Sequence, residues 1–284
     1  MEKLATFSHT GNIGDVHASI PAMNEFYRKT KRRIILYLVK DIPALYYEGA
    51  VHPTKSEDGK QVMLNQKMID MMIPLLMEQP CIADVKTWDG EEIEVPLGAF
   101  RDTYVGMPSF SINRWYFYVY PDMACDLSGV WLNVPDAEKD FAKGKILITR
   151  SERYLNHNIN YSFLKPYEDD LLFCGTMREY NVFTMTHDLN IRKLNVNNFL
   201  ELAQAIKQCK FHITNQTQAF QLSEGQKVPR ILELCGAAPN CIPIGEKAYD
   251  FFAQEGLESY FHELNGTSKQ YYEKVRERIK KTAQ

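Results

Sequence analysis

Leu4-Ala5-Thr6-Phe7-Ser8-His9-Thr10-Gly11-Asn12-Ile13-Gly14-Asp15-Val16 is the stretch that decides the fold. Leu4 to Phe7 reads as a short strand. It runs into a turn carrying Gly11 and Gly14, and a helical pattern follows from Val16 to about Tyr27. Ile20, Met23, Phe26 and Tyr27 fall on one face of that helix at three- and four-residue spacing. Ile34-Ile35-Leu36-Tyr37-Leu38-Val39 is then a continuous apolar run, as expected of a parallel strand buried on both faces. Strand, glycine turn, helix and strand make a βαβ unit.

The same alternation returns later. Lys145-Ile146-Leu147-Ile148-Thr149 predicts a strand, Leu171 to Cys174 a second, and Asn181 to Thr184 a weaker third. Asn197 to Lys207 predicts a helix, Phe211 to Thr214 a strand, and Thr217–Gln226 and Tyr249–Gln254 further helices. Between the halves, Gln66 to Met77 is a Met-rich amphipathic helix, and Cys81 to Val95 suggests paired strands turning at Asp89-Gly90. The polar stretch Asn133 to Gly144 is the linker candidate, and Lys269 to Lys281 predicts a basic C-terminal helix. The fold class expected is therefore α/β, with two Rossmann-like doubly wound domains facing a cleft, at residues 1–135 and 136–284.

With 284 residues the chain is long enough for two domains, and 45% hydrophobic and 24% charged residues are ordinary globular proportions. A net charge of −3 supplies no bulk field for nucleic acid or anionic lipid, although Arg28 to Arg33 is a local basic run whose simplest reading is a solvated helix end. The six cysteines form no CxxC pair, and several lie in apolar stretches, so they read as reduced, buried thiols. No segment resembles a signal peptide or approaches the roughly 18 to 20 apolar residues of a membrane span, which predicts a cytoplasmic protein.

The glycine turn is the chemically suggestive feature. Gly11, Asn12 and Gly14 allow close approach of a ligand, and the helix that follows points unpaired N–H groups at the same place. The spacing is neither GxGxxG nor a Walker A loop, so standard NAD or ATP sites are not expected. Asp15 has two readings, a helix cap or a general base for an acceptor hydroxyl. His9, beside the turn, is a second candidate at an acceptor. Arg114, Trp115 and Tyr116 open an aromatic segment that is either an acceptor wall or domain packing. No His, Cys or carboxylate set has metal-ligand spacing.

Gly11-Asn12-Ile13-Gly14-Asp15-Val16 followed by Ala18-Ser19-Ile20-Pro21-Ala22 resembles the opening motif of the bacterial heptosyltransferases and their relatives, glycosyltransferase family 9. Asn197 to Gln218 resembles that family's late helix, strand and turn, and Val228-Pro229-Arg230-Ile231-Leu232-Glu233-Leu234 the strand after it. The resemblance covers the first 40 residues and roughly 145 to 245. Asn215-Gln216-Thr217-Gln218-Ala219-Phe220 replaces the family's Asp-(Ser/Thr)-Gly-x-x-His turn.

The resemblance implies a GT-B arrangement with the acceptor on the first domain and a nucleotide-sugar on the second. It also implies inversion without a metal, and Asp15 matching the family's proposed base. The nucleotide-sugar is a substrate, and no cofactor is expected. On physical grounds the leaving diphosphate needs cations and helix N-termini, for which Arg150, Arg153, Gln216, Thr217 and Gln218 are the candidates, with Glu233 for ribose hydroxyls. The leading expectation is a glycosyltransferase acting on a surface glycan or lipid-linked saccharide. A phage-type DNA glycosyltransferase acting on a hydroxylated base and a non-catalytic GT-B-shaped binding protein are the alternatives. Donor, acceptor and oligomeric state are not set by the sequence.

Overall fold

The computed structural model describes residues 3–44, 54–102 and 111–282. In the first half, β1 (Ala5–His9) leads through α1 (Ile13–Ala18) and α2 (Ile20–Thr30) to β2 (Ile34–Leu38). Then come α3 (Gln66–Met77), β3 (Ile82–Thr87), β4 (Val95–Pro96) and α4 (Ile112–Val119). The four strands form one parallel sheet in the order β3-β2-β1-β4.

The second half contains β5 (Ile146–Thr149), β6 (Leu171–Cys174), α5 (Met177–His187), β7 (Arg192–Leu194), α6 (Phe199–Gln208), β8 (Phe211–Asn215) and α7 (Gln218–Gln226). It continues with β9 (Arg230–Glu233), β10 (Ala248–Phe251), α8 (Gln254–Asn265) and α9 (Ser268–Thr282). Its six strands are all parallel, in the order β10-β9-β8-β5-β6-β7. Numbered within this half, that is the 3-2-1-4-5-6 order of a doubly wound dinucleotide-type domain read from its far edge.

Strand periodicity explains the layering. Ile146, Ile148, Leu171, Phe173, Phe211 and Ile213 enter the apolar cluster that also holds Leu257 and Phe261 of α8. Leu147, Leu172 and Cys174, one residue out of phase, enter the cluster with α6 and α7. A strand buried on both faces has no polar face, hence the unbroken apolar runs. That second cluster does not stop at the domain edge. It includes Phe7, Val16, Met23 and Leu75 of the first half together with Phe199, Ala203 and Leu222 of the second, where α1 packs on α7 and α3 on α6. The two Rossmann-like halves thus share a continuous apolar interface beneath the site.

Three local expectations change. Residues 81–95 form no hairpin: β3 pairs with β2 and β4 with β1, both parallel, because the sheet offers two separate edges. Residues 181–184 are helix rather than strand; the N-terminus of α5 is fixed by a reciprocal capping box between Thr176 and Glu179. Residues 248–251 are an edge strand beside β9, and the helix begins only at Gln254. Short apolar segments do not distinguish strand from helix by periodicity alone.

Candidate functional site

The first helix starts where β1 ends. Asn12 is its N-cap: the Asn12 side chain accepts the Asp15 N–H at 3.2 Å, and Asp15 Oδ2 accepts the Asn12 N–H at 3.0 Å. The same Oδ2 receives Arg101, 86 residues away in sequence. Capping and the candidate catalytic position therefore coincide in one carboxylate. Among the described residues Oδ1 of Asp15 accepts no hydrogen bond, which leaves one oxygen for a further partner.

Gly11 is required by this arrangement. A Cβ there would lie 2.5 Å from Asp15 Oδ2 and 2.7 Å from His9 Cε1. His9 lies behind the turn, fully buried. Its Nδ1 accepts the Gly11 N–H at 2.9 Å, so its proton resides on Nε2, which donates to Tyr116 Oη at 2.8 Å. Tyr116 in turn donates to the Asp15 carbonyl at 2.7 Å. Burial lowers the His9 pKa to about 4 and pushes the Tyr116 hydroxyl well above its ordinary value. Both groups are neutral and fully engaged. His9 therefore braces the turn from inside rather than facing an acceptor.

The aromatic segment is corrected in the same way. Trp115 and Tyr116 are 3% and 0% exposed and pack around Phe100, with ring centroids 5.9 and 4.8 Å away. Helical periodicity turns both inward from α4, and of the three expected acceptor residues only Arg114 is exposed. The basic run is also occupied: Arg28 pairs with Glu25, Arg32 with Glu94, and Lys29 reaches the Asp122 carbonyl at 2.6 Å.

The second half presents its own turn. Thr217 caps α7, its hydroxyl accepting the Ala219 N–H at 3.3 Å. The first residue of α7, Gln218, lies directly against the first helix: a Cβ at Gly14 would sit 3.7 Å from Gln218 Cα. The opening turns of α1 and α7 meet face to face. Ser151 Oγ and Gln218 Oε1 are buried and have no hydrogen-bond partner among the described residues. Polar atoms in that condition ordinarily await a ligand or ordered water.

Three of the expected donor residues, Arg150, Glu233 and Gln216, are spoken for elsewhere. Arg150 makes a bidentate pair with Glu233, at 2.7 and 2.9 Å. Glu233 also accepts from the Asn156 N–H and the Tyr161 hydroxyl, both at 2.7 Å, and is fully buried. Its carboxylate has no room for a ribose, and the Arg150 charge is neutralised; sequence spacing could not show that these two side chains face each other. Gln216 is likewise consumed, accepting the Cys235 N–H at 2.6 Å and donating to Ala238 and Asn240 at 2.5 and 2.8 Å. Arg153 lies over the Tyr154 ring at 4.8 Å.

Sequence reading missed two residues that organise the site. Arg101 carries no motif, and only the tertiary fold brings it to Asp15. Asn215 holds the 151–154 loop by accepting the Ser151 N–H at 3.0 Å and donating to the Ser151 and Tyr154 carbonyls, both at 2.9 Å. The replaced family turn at 215–220 was a signal for it. Among the described residues no group of three or more His, Cys, Asp or Glu side chains could hold a metal ion, and no helix is long and apolar enough to cross a membrane.

Two Rossmann-like halves, each ending its first strand or its fourth in a turn that meets the other, define the GT-B class of fold. Solved glycosyltransferase structures share it with this chain. The family 9 glycosyl transferase of Veillonella parvula aligns over 92% of this chain and 88% of its own, at a TM-score of 0.52 and 11% identity. The E. coli ADP-heptose LPS heptosyltransferase II aligns over 95% of this chain and 100% of its own, with a TM-score of 0.58 and 11% identity. The iron-containing E. coli heptosyltransferase TibC, solved with ADP-D-β-D-heptose, gives 0.57 at 13% identity over 90% of this chain, which spans 64% of that longer protein. No protein-family model and no curated protein matches the sequence. At these identities it is the fold that is shared.

Proposed function

We propose that this protein is a glycosyltransferase that moves a sugar from a nucleotide-sugar to a hydroxyl acceptor, by inversion and without a metal. The observation that carries the reading is the meeting of Gly14 and Gln218, which sets Asp15 beside the N-terminus of a helix in the second Rossmann-like half. Asp15 Oδ1 would take the proton of the acceptor hydroxyl, whose oxygen attacks the anomeric carbon as the bond to the diphosphate breaks. The leaving diphosphate would be stabilised by the α7 N-terminus, by Ser151 and Gln218, and by Arg153. The shared fold with ADP-heptose-using enzymes makes adenosine diphosphate sugars the first donors to test, and a glycan or lipid-linked saccharide the acceptor class.

The test is a thermal-shift screen of the protein against ADP, UDP, GDP, CMP and their sugar conjugates, followed by transfer assays with Asp15→Asn. One nucleotide-sugar raises the melting temperature, and Asp15→Asn keeps that rise while turnover falls about 10²- to 10⁴-fold. Absence of any shift across the panel sinks the reading.

A second reading, a GT-B-shaped binding protein without turnover, is favoured by two contacts: Arg101 and the Asn12 N–H already occupy Oδ2 of Asp15. A donor-induced shift with no transfer to any acceptor would select it. Nothing in the site favours DNA as acceptor.

A further inference from the structure

We propose that α9 is a docking face for an anionic lipid surface. Its fifteen residues hold six of the chain's 33 lysines and arginines but only two of its 36 acids, so the helix carries a formal +4 and the remainder of the chain −7. Lys269, Lys274, Arg276 and Lys280 are exposed. Among them stand two large apolar side chains open to solvent, Tyr272 at 42% and Ile279 at 63%.

At 3.6 residues per turn, Ile279, Tyr272, Arg276, Lys269 and Lys280 fall within an arc of about 100°, and Glu273 and Glu277 lie outside it. The helix is attached on its other side by Tyr271, which stacks on His262 of α8 at 4.5 Å. Near one edge of the arc the Tyr272 hydroxyl also reaches Ser259 of α8 at 2.7 Å. Gly266, at φ 77°, closes α8 and redirects the chain into α9.

Cations alone would suit any polyanion. Cations interleaved with an exposed Ile and a half-exposed Tyr suit a headgroup layer, where ammonium and guanidinium groups meet lipid phosphates while Ile279 enters the acyl boundary and the Tyr272 ring, tied to Ser259, stays at headgroup level. A nucleic acid would satisfy the charges and leave Ile279 in water. The face is also the sign opposite to the rest of the chain, which a negatively charged surface repels, so contact would be confined to this helix. The proposal rests on α9 itself and not on the transferase reading.

The experiment is co-sedimentation of the full-length protein with vesicles of phosphatidylcholine, alone and in equal mixture with phosphatidylserine. The protein pellets with the mixed vesicles, does not pellet with phosphatidylcholine alone, and is released by raised salt. Paired Lys269→Glu and Arg276→Glu substitutions lower the partition coefficient by more than about tenfold, and Ile279→Glu by several-fold. Lys280→Glu is a second charge reversal should the pair lower the melting temperature. Equal binding to both vesicle types overturns the proposal. So does unaltered vesicle binding by Ile279→Glu together with competition by short duplex DNA, which would mark a general polyanion patch.

Discussion

Gly14 in α1 packs against the main chain of Gln218 in α7, so the first turns of helices some 200 residues apart touch with no side chain between them. A Cβ on Gly14 would stand 3.3 Å from Asn12 Oδ1 and 3.7 Å from Gln218 Cα, which is close but not a clash. Gly14→Ala should leave stability nearly unchanged. Gly14→Val must push the two halves apart, and should lower the unfolding free energy by about 1 to 3 kcal/mol, read from urea midpoints. Gly11→Ala, with contacts at 2.5 and 2.7 Å into Asp15 and His9, should be worse than Gly14→Ala.

Glu233 is a buried carboxylate held by Arg150, Tyr161 and the Asn156 N–H. Glu233→Ala leaves the Arg150 guanidinium, itself only 10% exposed at the side chain, without its counter-charge. A loss of about 3 to 5 kcal/mol is expected by chemical denaturation. Tyr161→Phe removes one hydrogen bond to a charged group and should lower stability by about 1.5 to 3 kcal/mol. A negligible effect of Glu233→Ala would show that water reaches the pair.

Stability should fall on acidification below neutrality. Burial lowers His17 and His212 from 6.5 to about 3, and His9 to about 4. As pH drops below 6.5 the unfolded chain binds protons that the native protein refuses, so unfolding becomes easier. Each histidine contributes about 1.4 kcal/mol per pH unit between its unfolded and folded values. His17 is the cleanest case, because neither ring nitrogen has a partner among the described residues and its ring only meets Phe199 edge-on at 5.7 Å. His17→Leu should hold or raise stability at pH 7 and reduce the acid slope by one proton, measured as urea midpoint against pH.

Arg101 and Asp15 should separate kinetically under the proposed transferase reading. The Arg101 side chain is 35% exposed and Asp15 keeps the Asn12 N–H without it, so Arg101→Ala should shift the melting temperature by only a few degrees. Turnover should fall roughly tenfold or more as the carboxylate loses its fixed orientation. Asp15→Asn should be the more damaging of the two. Equal, small effects from both would remove Asp15 from the chemistry.

Much of the candidate site was legible, but as positions rather than roles. The glycine turn and Asp15 were singled out by local chemistry and the 216–218 turn as the opening of a helix, and the fold sets Gly14 of the first against Gln218 of the second. His9, Trp115 and Tyr116 were found for their residue types, yet burial makes them the bracing behind the turn. Arg150 and Glu233 were assigned to different parts of a ligand and instead bind each other.

The sequence by itself determined the two α/β halves, because strands covered on both faces must be continuous apolar runs and their crossover helices must be amphipathic. It also determined the glycine turn, since only glycine admits the backbone that closely to Asp15. The tertiary structure alone decided that Arg101 meets Asp15, that Gly14 meets Gln218 and that Arg150 is neutralised. Each of those contacts joins residues tens to hundreds of positions apart, and local periodicity carries no information about which distant charge a buried charge will find.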